Sequence, residues 1–136
     1  MVEIIKDVSE LNKNVTLSHN LNNPHLIKEY DNFRKKVVKV LRVIYLFRTL
    51  EDSDKYATKL TELKNDAKDN IRKSNKSIDK LIRQNLITTE MASSLFNDYT
   101  NVNDMIKKLI EVAELLYGEK DSLFENNDKP NKKKSA

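Results

Sequence analysis

Apolar residues recur along this chain at alternating intervals of three and four, and this spacing limits the fold more than any other feature. The most regular series is Leu95, Tyr99, Val102, Ile106, Leu109, Ala113 and Leu116. Residues three and four apart share one face of an α-helix, so each series predicts one long amphipathic helix. The chain of 136 residues has only one glycine and two prolines, whereas the turns of a β-sheet protein draw on both. The expected fold class is all-α.

Three such series predict helices over about residues 24–50, 53–85 and 89–117. Asn23 before Pro24 is a typical helix start, and Thr88 is expected to cap the last helix. Gly118 is expected to end that helix in a left-handed conformation. The core stripe of the first long helix is predicted to be Tyr30, Phe33, Val37, Val40, Ile44 and Phe47, widened by Leu41. Long helices joined by tight turns pack antiparallel, which predicts an up-down-up three-helix bundle.

The ends of the chain have a different character from its centre. Residues 1–22 are expected to form a short helix over residues 3–15, followed by a polar linker. Residues 23–118 form the predicted bundle, as one domain. Residues 119–136 are a polar tail that is expected to lack regular structure from Asn126 onwards.

Composition excludes several classes of function. The chain contains no cysteine, so disulfides, thiolate metal sites and cysteine nucleophiles are absent. No signal peptide and no run of about 20 apolar residues is present, so a soluble, cytoplasmic chain is expected. The net charge of +4 comes without a groove-reading motif, so no nucleic-acid partner is expected. The known catalytic motifs are missing too, and neither an enzyme nor a bound cofactor is expected.

A polar zone interrupts the second and third long helices at levels that face each other. If the hairpin turns near residues 87–88, residue 74 lies opposite residue 101 and residue 78 lies opposite residue 97. This register predicts a polar layer made of Asn70, Ser74, Asn75, Asn97 and Asn101. Such a layer can fix the register of helices by hydrogen bonds, as a buried asparagine does in coiled coils.

The same level could instead hold a divalent metal or an anion, because facing carboxylates bind metals in helical bundles. The candidate ligands are His25, Glu29, Asp98 and Asp104. Asparagine is a neutral and weak ligand, so the hydrogen-bonded layer is the favoured interpretation and no metal site is predicted.

Basic residues cluster on the first long helix without an intervening acid. They are Arg34, Lys35, Lys36, Lys39, Arg42 and Arg48. A solvated helix face is the simplest explanation of this run. The functional alternative is a face for anionic lipid or for a membrane partner.

Two stretches carry a resemblance to a known family. The segments NPHLIKEYDNFRKKVVKVLRVIYLFR (Asn23–Arg48) and LITTEMASSLFNDYTNVNDMIKKLIEVAELLYG (Leu86–Gly118) resemble the C-terminal region of bacterial sodium/phosphate cotransporter-like proteins. In that family a membrane transporter domain is followed by a cytoplasmic domain similar to PhoU, the helical regulator of phosphate uptake. The resemblance covers about residues 23–125, and MASSLFND is its most specific part.

The resemblance implies a regulatory or accessory domain that contacts a membrane transporter domain in the same or a separate chain. It implies a location at the cytoplasmic face of the inner membrane. PhoU-like proteins hold metal clusters with motifs of the form Glu/Asp-x-x-x-Asp, and the corresponding positions here are Asn97 and Asn101. Because these are neutral amides, the metal site is not carried over. A small metal- or anion-binding bundle and a helical dimerisation module are the alternatives to an accessory domain.

Overall fold

Four α-helices make up the part of the chain that the computed structural model describes, namely residues 2–49 and 52–118 without the side chains of residues 53 and 68. They are α1 (Val2–Asn20), α2 (Pro24–Arg48), α3 (Ser53–Arg83) and α4 (Thr89–Tyr117). No β-strand occurs within these residues, which confirms the all-α class. The predicted tail, residues 119–136, lies outside the described residues.

The starts of α2 and α4 are capped as the sequence predicts. The Asn23 side chain accepts hydrogen bonds from the backbone N–H groups of His25 and Leu26, and Pro24 follows it. The Thr88 hydroxyl accepts from the N–H of Met91. These caps satisfy N–H groups that have no partner within the helix. The bounds of the two helices therefore come close to those predicted.

The predicted left-handed end at Gly118 is wrong, because this residue has a φ of −69° and simply continues the helical conformation. Left-handed residues occur instead at Asn22, Asp52 and Asn85, with φ values of 49°, 56° and 54°. Each lies in one of the three breaks between helices. Asparagine and aspartate tolerate this conformation better than other residues with a side chain, so the chain makes its turns without glycine.

Helix α1 is longer than the predicted helix over residues 3–15, and the predicted polar linker is largely helical. The Thr16 and Ser18 hydroxyls donate to the carbonyls of Asn12 and Val15 within the helix. Ser18 is buried, and Val15 packs against the main core. Burial against the rest of the protein therefore extends a helix whose polar sequence does not favour it.

Side-chain contacts show which levels of the helices meet. Lys64 of α3 pairs with Glu111 and Glu114 near the end of α4, while Ile82 of α3 shares a groove with Thr89 at its start. In contrast, α2 meets α4 with rising residue numbers on both, from Tyr30 beside Asp98 to Phe47 beside Tyr117. On α1, Asn14 contacts Asp98 and Glu3 contacts Lys108, so α1 runs against α2 and α4.

The core lies between α2, α3 and α4, and its most enclosed apolar side chains are Phe33, Leu60, Leu95 and Ile110. Most of the predicted stripe positions are buried or half-buried. The prediction was wrong for Leu41, which is 47% exposed, and for Leu116, which is 59% exposed. Val43 and Ile110 are buried in addition to the predicted stripes. None of the four described helices has the length and hydrophobicity that crossing a bilayer requires.

Candidate functional site

The five residues of the predicted polar layer differ in their burial. Ser74 is buried and Asn70 and Asn101 are half-buried, but Asn75 and Asn97 are exposed and line an open groove between α3 and α4. The hairpin register sets the level of a residue and not its rotation about the helix. Because each residue turns the helix by about 100°, Asn97 points away from the core that Leu95 and Tyr99 enter. The two asparagines therefore cannot belong to a buried layer.

The buried polar centre lies one residue further along, at Asp98, whose side chain points inward and is only 1% exposed. Its carboxylate accepts a hydrogen bond of 2.6 Å from the Tyr30 hydroxyl of α2. The amide of Asn14 on α1 donates to both carboxylate oxygens, at 2.9 and 3.0 Å. A single carboxylate thus joins three helices.

Tyr99, the residue after Asp98, makes a matching hydrogen bond in which α4 supplies the tyrosine and α2 supplies the carboxylate. The Tyr99 hydroxyl of α4 donates to Glu29 Oε2 of α2 at 2.6 Å, and the hydroxyl of Ser77 on α3 donates to Glu29 Oε1 at 3.4 Å. Each of the two helices therefore presents an acid followed by a tyrosine, and each tyrosine binds the acid of the other helix. We refer to Glu29, Tyr30, Asp98 and Tyr99 as the reciprocal tyrosine–carboxylate pair.

Burial raises the pKa of both tyrosines in the reciprocal tyrosine–carboxylate pair. Desolvation is the main cause that raises the pKa of Tyr30, and the hydrogen bond to Asp98 raises it further. Burial and the bond to Glu29 likewise raise the pKa of Tyr99. Both phenols are therefore neutral hydrogen-bond donors under ordinary conditions and are not nucleophiles. The arrangement holds α2 and α4 in one register.

The pKa of Asp98 is raised from its ordinary value of 3.8, chiefly by burial, with a smaller contribution from the charge of Glu10. Hydrogen bonds from Tyr30 and Asn14 oppose this shift without cancelling it. The folded protein therefore holds the Asp98 proton up to a higher pH than the unfolded chain. Ionisation of Asp98 then costs stability as the pH rises through this window.

An Asp98→Asn variant tests the direction in which Asp98 changes stability with pH, because asparagine does not titrate. As the pH falls from 7 towards 4, we expect the wild type to gain stability relative to Asp98→Asn, as measured by urea unfolding at each pH. A wild type that loses stability relative to the variant on acidification would show that the hydrogen bonds outweigh burial.

The four weak metal candidates are not brought together. Asp98 is bound by Tyr30 and Asn14, Glu29 is bound by Tyr99 and Ser77, and Asp104 pairs with Lys107 at 3.3 Å. His25 is exposed at the start of α2. Within residues 2–49 and 52–118, no group of three or more histidine, cysteine, aspartate or glutamate side chains is placed to hold a metal ion.

The predicted basic face divides into two environments. Arg34, Lys35, Lys39, Arg42 and Arg48 are exposed on α2. Lys36 is half-buried, and its ammonium lies 5.4 Å from the centre of the Tyr99 ring. Burial lowers the pKa of Lys36, although the charge of Glu29 partly opposes this. Lys36 thus belongs with the reciprocal tyrosine–carboxylate pair and not with the outer face.

Exposed apolar side chains lie among these cations. The sequence patterns did not predict this exposure. Val38 is 62% exposed and Tyr45 is 59% exposed, and Leu41 joins them. The guanidinium of Arg48 lies 5.1 Å from the centre of the Tyr45 ring. The outer face of α2 is therefore both basic and apolar.

The reciprocal pair also escaped the sequence reasoning, although a signal for it exists. Glu29-Tyr30-Asp31-Asn32 on α2 and Asp98-Tyr99-Thr100-Asn101 on α4 share the pattern acid, tyrosine, any residue, asparagine.

The side chain of Asn103 is one further buried polar group. Its Nδ2 has no hydrogen-bond partner, and nothing else in the structure explains this unpaired amide.

Comparisons of the chain with protein-family models, with curated proteins and with solved structures gave no match. The fold and the site define an all-α helical bundle with a hydrogen-bonded interior. The resemblance to PhoU-like domains therefore stays a prediction from the sequence.

Proposed function

We propose that this chain is a PhoU-like regulatory or accessory domain of a sodium-dependent phosphate transporter, and that it acts through protein–protein contacts without catalysis. The observation that carries the proposal is the outer face of α2, where Arg34, Lys39 and Arg42 are exposed beside Val38 and Tyr45. Apolar side chains exposed in this way are typical of contact surfaces. The transporter domain belongs to the same chain or to a separate one.

In this proposal α2, α3 and α4 form the antiparallel, up-down-up three-helix unit of a PhoU-like half, and α1 lies along it. The directions of the contacts between these helices support this arrangement. The domain would lie at the cytoplasmic face of the inner membrane, with α2 directed towards the transporter or the lipid.

The interior of the bundle supports a mechanical role. The reciprocal tyrosine–carboxylate pair holds α2 against α4 through two hydrogen bonds of 2.6 Å. Such short bonds to carboxylates are stronger than neutral ones. A bundle held in this way presents the side chains of α2 at fixed spacing, so that docking and undocking of the whole unit can carry a signal.

The proposal is tested by phosphate uptake in cells that carry a variant of the native gene. Reversal of two exposed charges, Lys39→Glu with Arg42→Glu, is expected to change uptake by several-fold at high or low phosphate while leaving the protein folded. The matched control is Lys76→Glu with Lys80→Glu, which reverses two exposed charges on α3. Deletion of residues 23–118 should reproduce the effect of the α2 variant. Unchanged uptake at both phosphate levels in the α2 variant and the deletion would rule the proposal out.

A helical dimerisation module is the second candidate, and one observation favours it. Ile5 is 68% exposed, and Leu115 and Leu116 are 68% and 59% exposed. A second copy of the chain could cover such residues. Light scattering across a concentration series would support this function if the mass doubled, and a strictly monomeric chain would contradict it.

A further inference from the structure

The outer face of α2 is built along one line of the helix. Arg34, Val38, Leu41, Tyr45 and Arg48 follow each other at intervals of four and three, so their side chains project from one strip. The three apolar members are exposed, and so are the two arginines at the ends. With a rise of about 1.5 Å per residue, this strip is about 21 Å long.

Cations border the strip, and α2 itself carries no acid along its length, although Asp66 of α3 shares a groove with Lys39. Lys35, Lys39 and Arg42 are exposed on the neighbouring side of the helix. Residues 32–49 contain no aspartate or glutamate, and the ion pair of Asp31 with Arg34, at 3.7 Å, lies at one end. This basic helix face with apolar side chains in its centre has the composition of helices that lie at membrane surfaces.

Exposed apolar side chains of α1 and α4 lie at the same level along the bundle as the second half of α2. Asn14 of α1 and Tyr30 of α2 bind the same carboxylate, and α1 runs against α2 from that level. Val2 and Ile5 of α1, which are 82% and 68% exposed, are therefore level with the second half of α2. Leu115 at the end of α4 is level with the end of α2, because Phe47 contacts Tyr117.

We propose that the outer face of α2 docks on the surface of an anionic phospholipid bilayer. Tyr45, Leu41 and Val38 would enter the interface between headgroups and acyl chains, and the bordering lysines and arginines would contact lipid phosphates. Tyrosine is enriched at that depth, and lysine and arginine keep their charged ends at the headgroups while their stems lie along apolar surface.

Charge and shape favour a lipid surface over the other occupants. A second copy of the chain placed on the same face would bring like charges together, which is unfavourable. A peptide helix usually binds in a groove, whereas this strip is the convex outside of a single helix. A bilayer supplies negative charge over a broad surface and needs no groove.

The inference rests on the proposed function, in which α2 is directed towards the transporter or the lipid, and it commits to the lipid as the surface that this face contacts. It is tested with the purified chain and vesicles that contain no protein. Flotation should show binding to vesicles of equal parts phosphatidylcholine and phosphatidylglycerol at least tenfold tighter than to phosphatidylcholine alone. Raising the salt concentration should weaken this binding, because the charges are exposed to screening.

Two double variants identify the face. Lys39→Glu with Arg42→Glu should weaken binding by well over about fivefold, the factor expected for the loss of one surface cation. Lys76→Glu with Lys80→Glu, which makes the same charge change on α3, should weaken it much less. Circular dichroism establishes that both variants are folded. Equal binding to the two kinds of vesicle, or an equal loss in both variants, would overturn the inference.

A label reports whether the strip enters the lipid. The chain has no cysteine, so Val38→Cys and Lys76→Cys each introduce one site for a polarity-sensitive fluorophore. A blue shift on anionic vesicles at position 38 but not at position 76 supports the proposal. A shift at neither position, or the same shift at both, contradicts it.

The two proposals can fail separately. If the α2 variant alters phosphate uptake but the chain ignores anionic vesicles, the lipid inference fails and the protein-contact function stands. If the chain binds vesicles through α2 but both the α2 variant and the deletion of residues 23–118 leave uptake unchanged, the lipid inference stands and the transporter function fails.

Discussion

Replacing Phe33 by alanine is expected to destabilise the protein by about 3–5 kcal/mol, the usual range for removing a buried aromatic side chain. Phe33 is 1% exposed. Its ring meets Tyr30 edge to face at a centroid distance of 5.4 Å and Tyr99 at 4.4 Å. Alanine would leave a cavity between the two tyrosines that donate to Asp98 and Glu29. Because small domains are stable by only about 5–15 kcal/mol, this loss is a large fraction of the total.

Urea unfolding followed by far-UV circular dichroism measures the loss as a fall in the transition midpoint. Phe96→Ala is the matched control, because Phe96 is also on a helix but is 42% exposed. It is expected to cost less than about 1 kcal/mol. Equal losses for the two variants would mean that Phe33 is not at the centre of the core in solution.

The number of helices and the positions of their breaks could be predicted from the sequence, for a physical reason. Apolar spacing of three and four and the caps at Asn23 and Thr88 are local signals, since they depend on residues within one helix. The structure bears out both caps. The full length of α1 could not be predicted, because Ser18 is buried only by contact with other parts of the chain.

Which flank of the α2 core stripe is buried depends on how the other helices pack against it, and the sequence pattern does not specify that packing. Leu41 and Val43 are two residues apart, so they lie on roughly opposite flanks of the α2 stripe. Either could widen it, and the packing of the other helices buries Val43 and leaves Leu41 exposed. The exposed Leu41 then becomes part of the outer face of α2.

The candidate site shows the same limit. A polar level across the bundle was predictable from the hairpin register, and polar residues do meet there. Which of them turn inward was not predictable, because Asn97 and Asp98 are adjacent and differ by about 100° in direction. The partners Tyr30 and Asn14 come from helices far away in sequence, so no local pattern indicated them.

Tyr30→Phe is the second large effect, with an expected loss of about 1.5–3 kcal/mol at neutral pH, the range for a hydrogen bond to a charged group. The variant keeps the ring and its contact with Phe33 but removes the 2.6 Å bond to Asp98. The buried carboxylate is then left with Asn14 alone. Tyr45→Phe is the control, since Tyr45 is 59% exposed, and it should cost less than about 0.5 kcal/mol.

A double-mutant cycle with Asp98→Asn separates this bond from general packing. In the Asp98→Asn background the Tyr30→Phe change should cost only about 0.5–1.5 kcal/mol, because the group that loses its donor is then neutral. The cost of Tyr30→Phe in the wild type should also shrink as Asp98 becomes protonated at low pH, because its raised pKa makes the neutral carboxyl form accessible on acidification. If the cost of Tyr30→Phe is the same in both backgrounds, the hydroxyl does not depend on the carboxylate. In that case the reciprocal tyrosine–carboxylate pair cannot be what holds α2 and α4 in register.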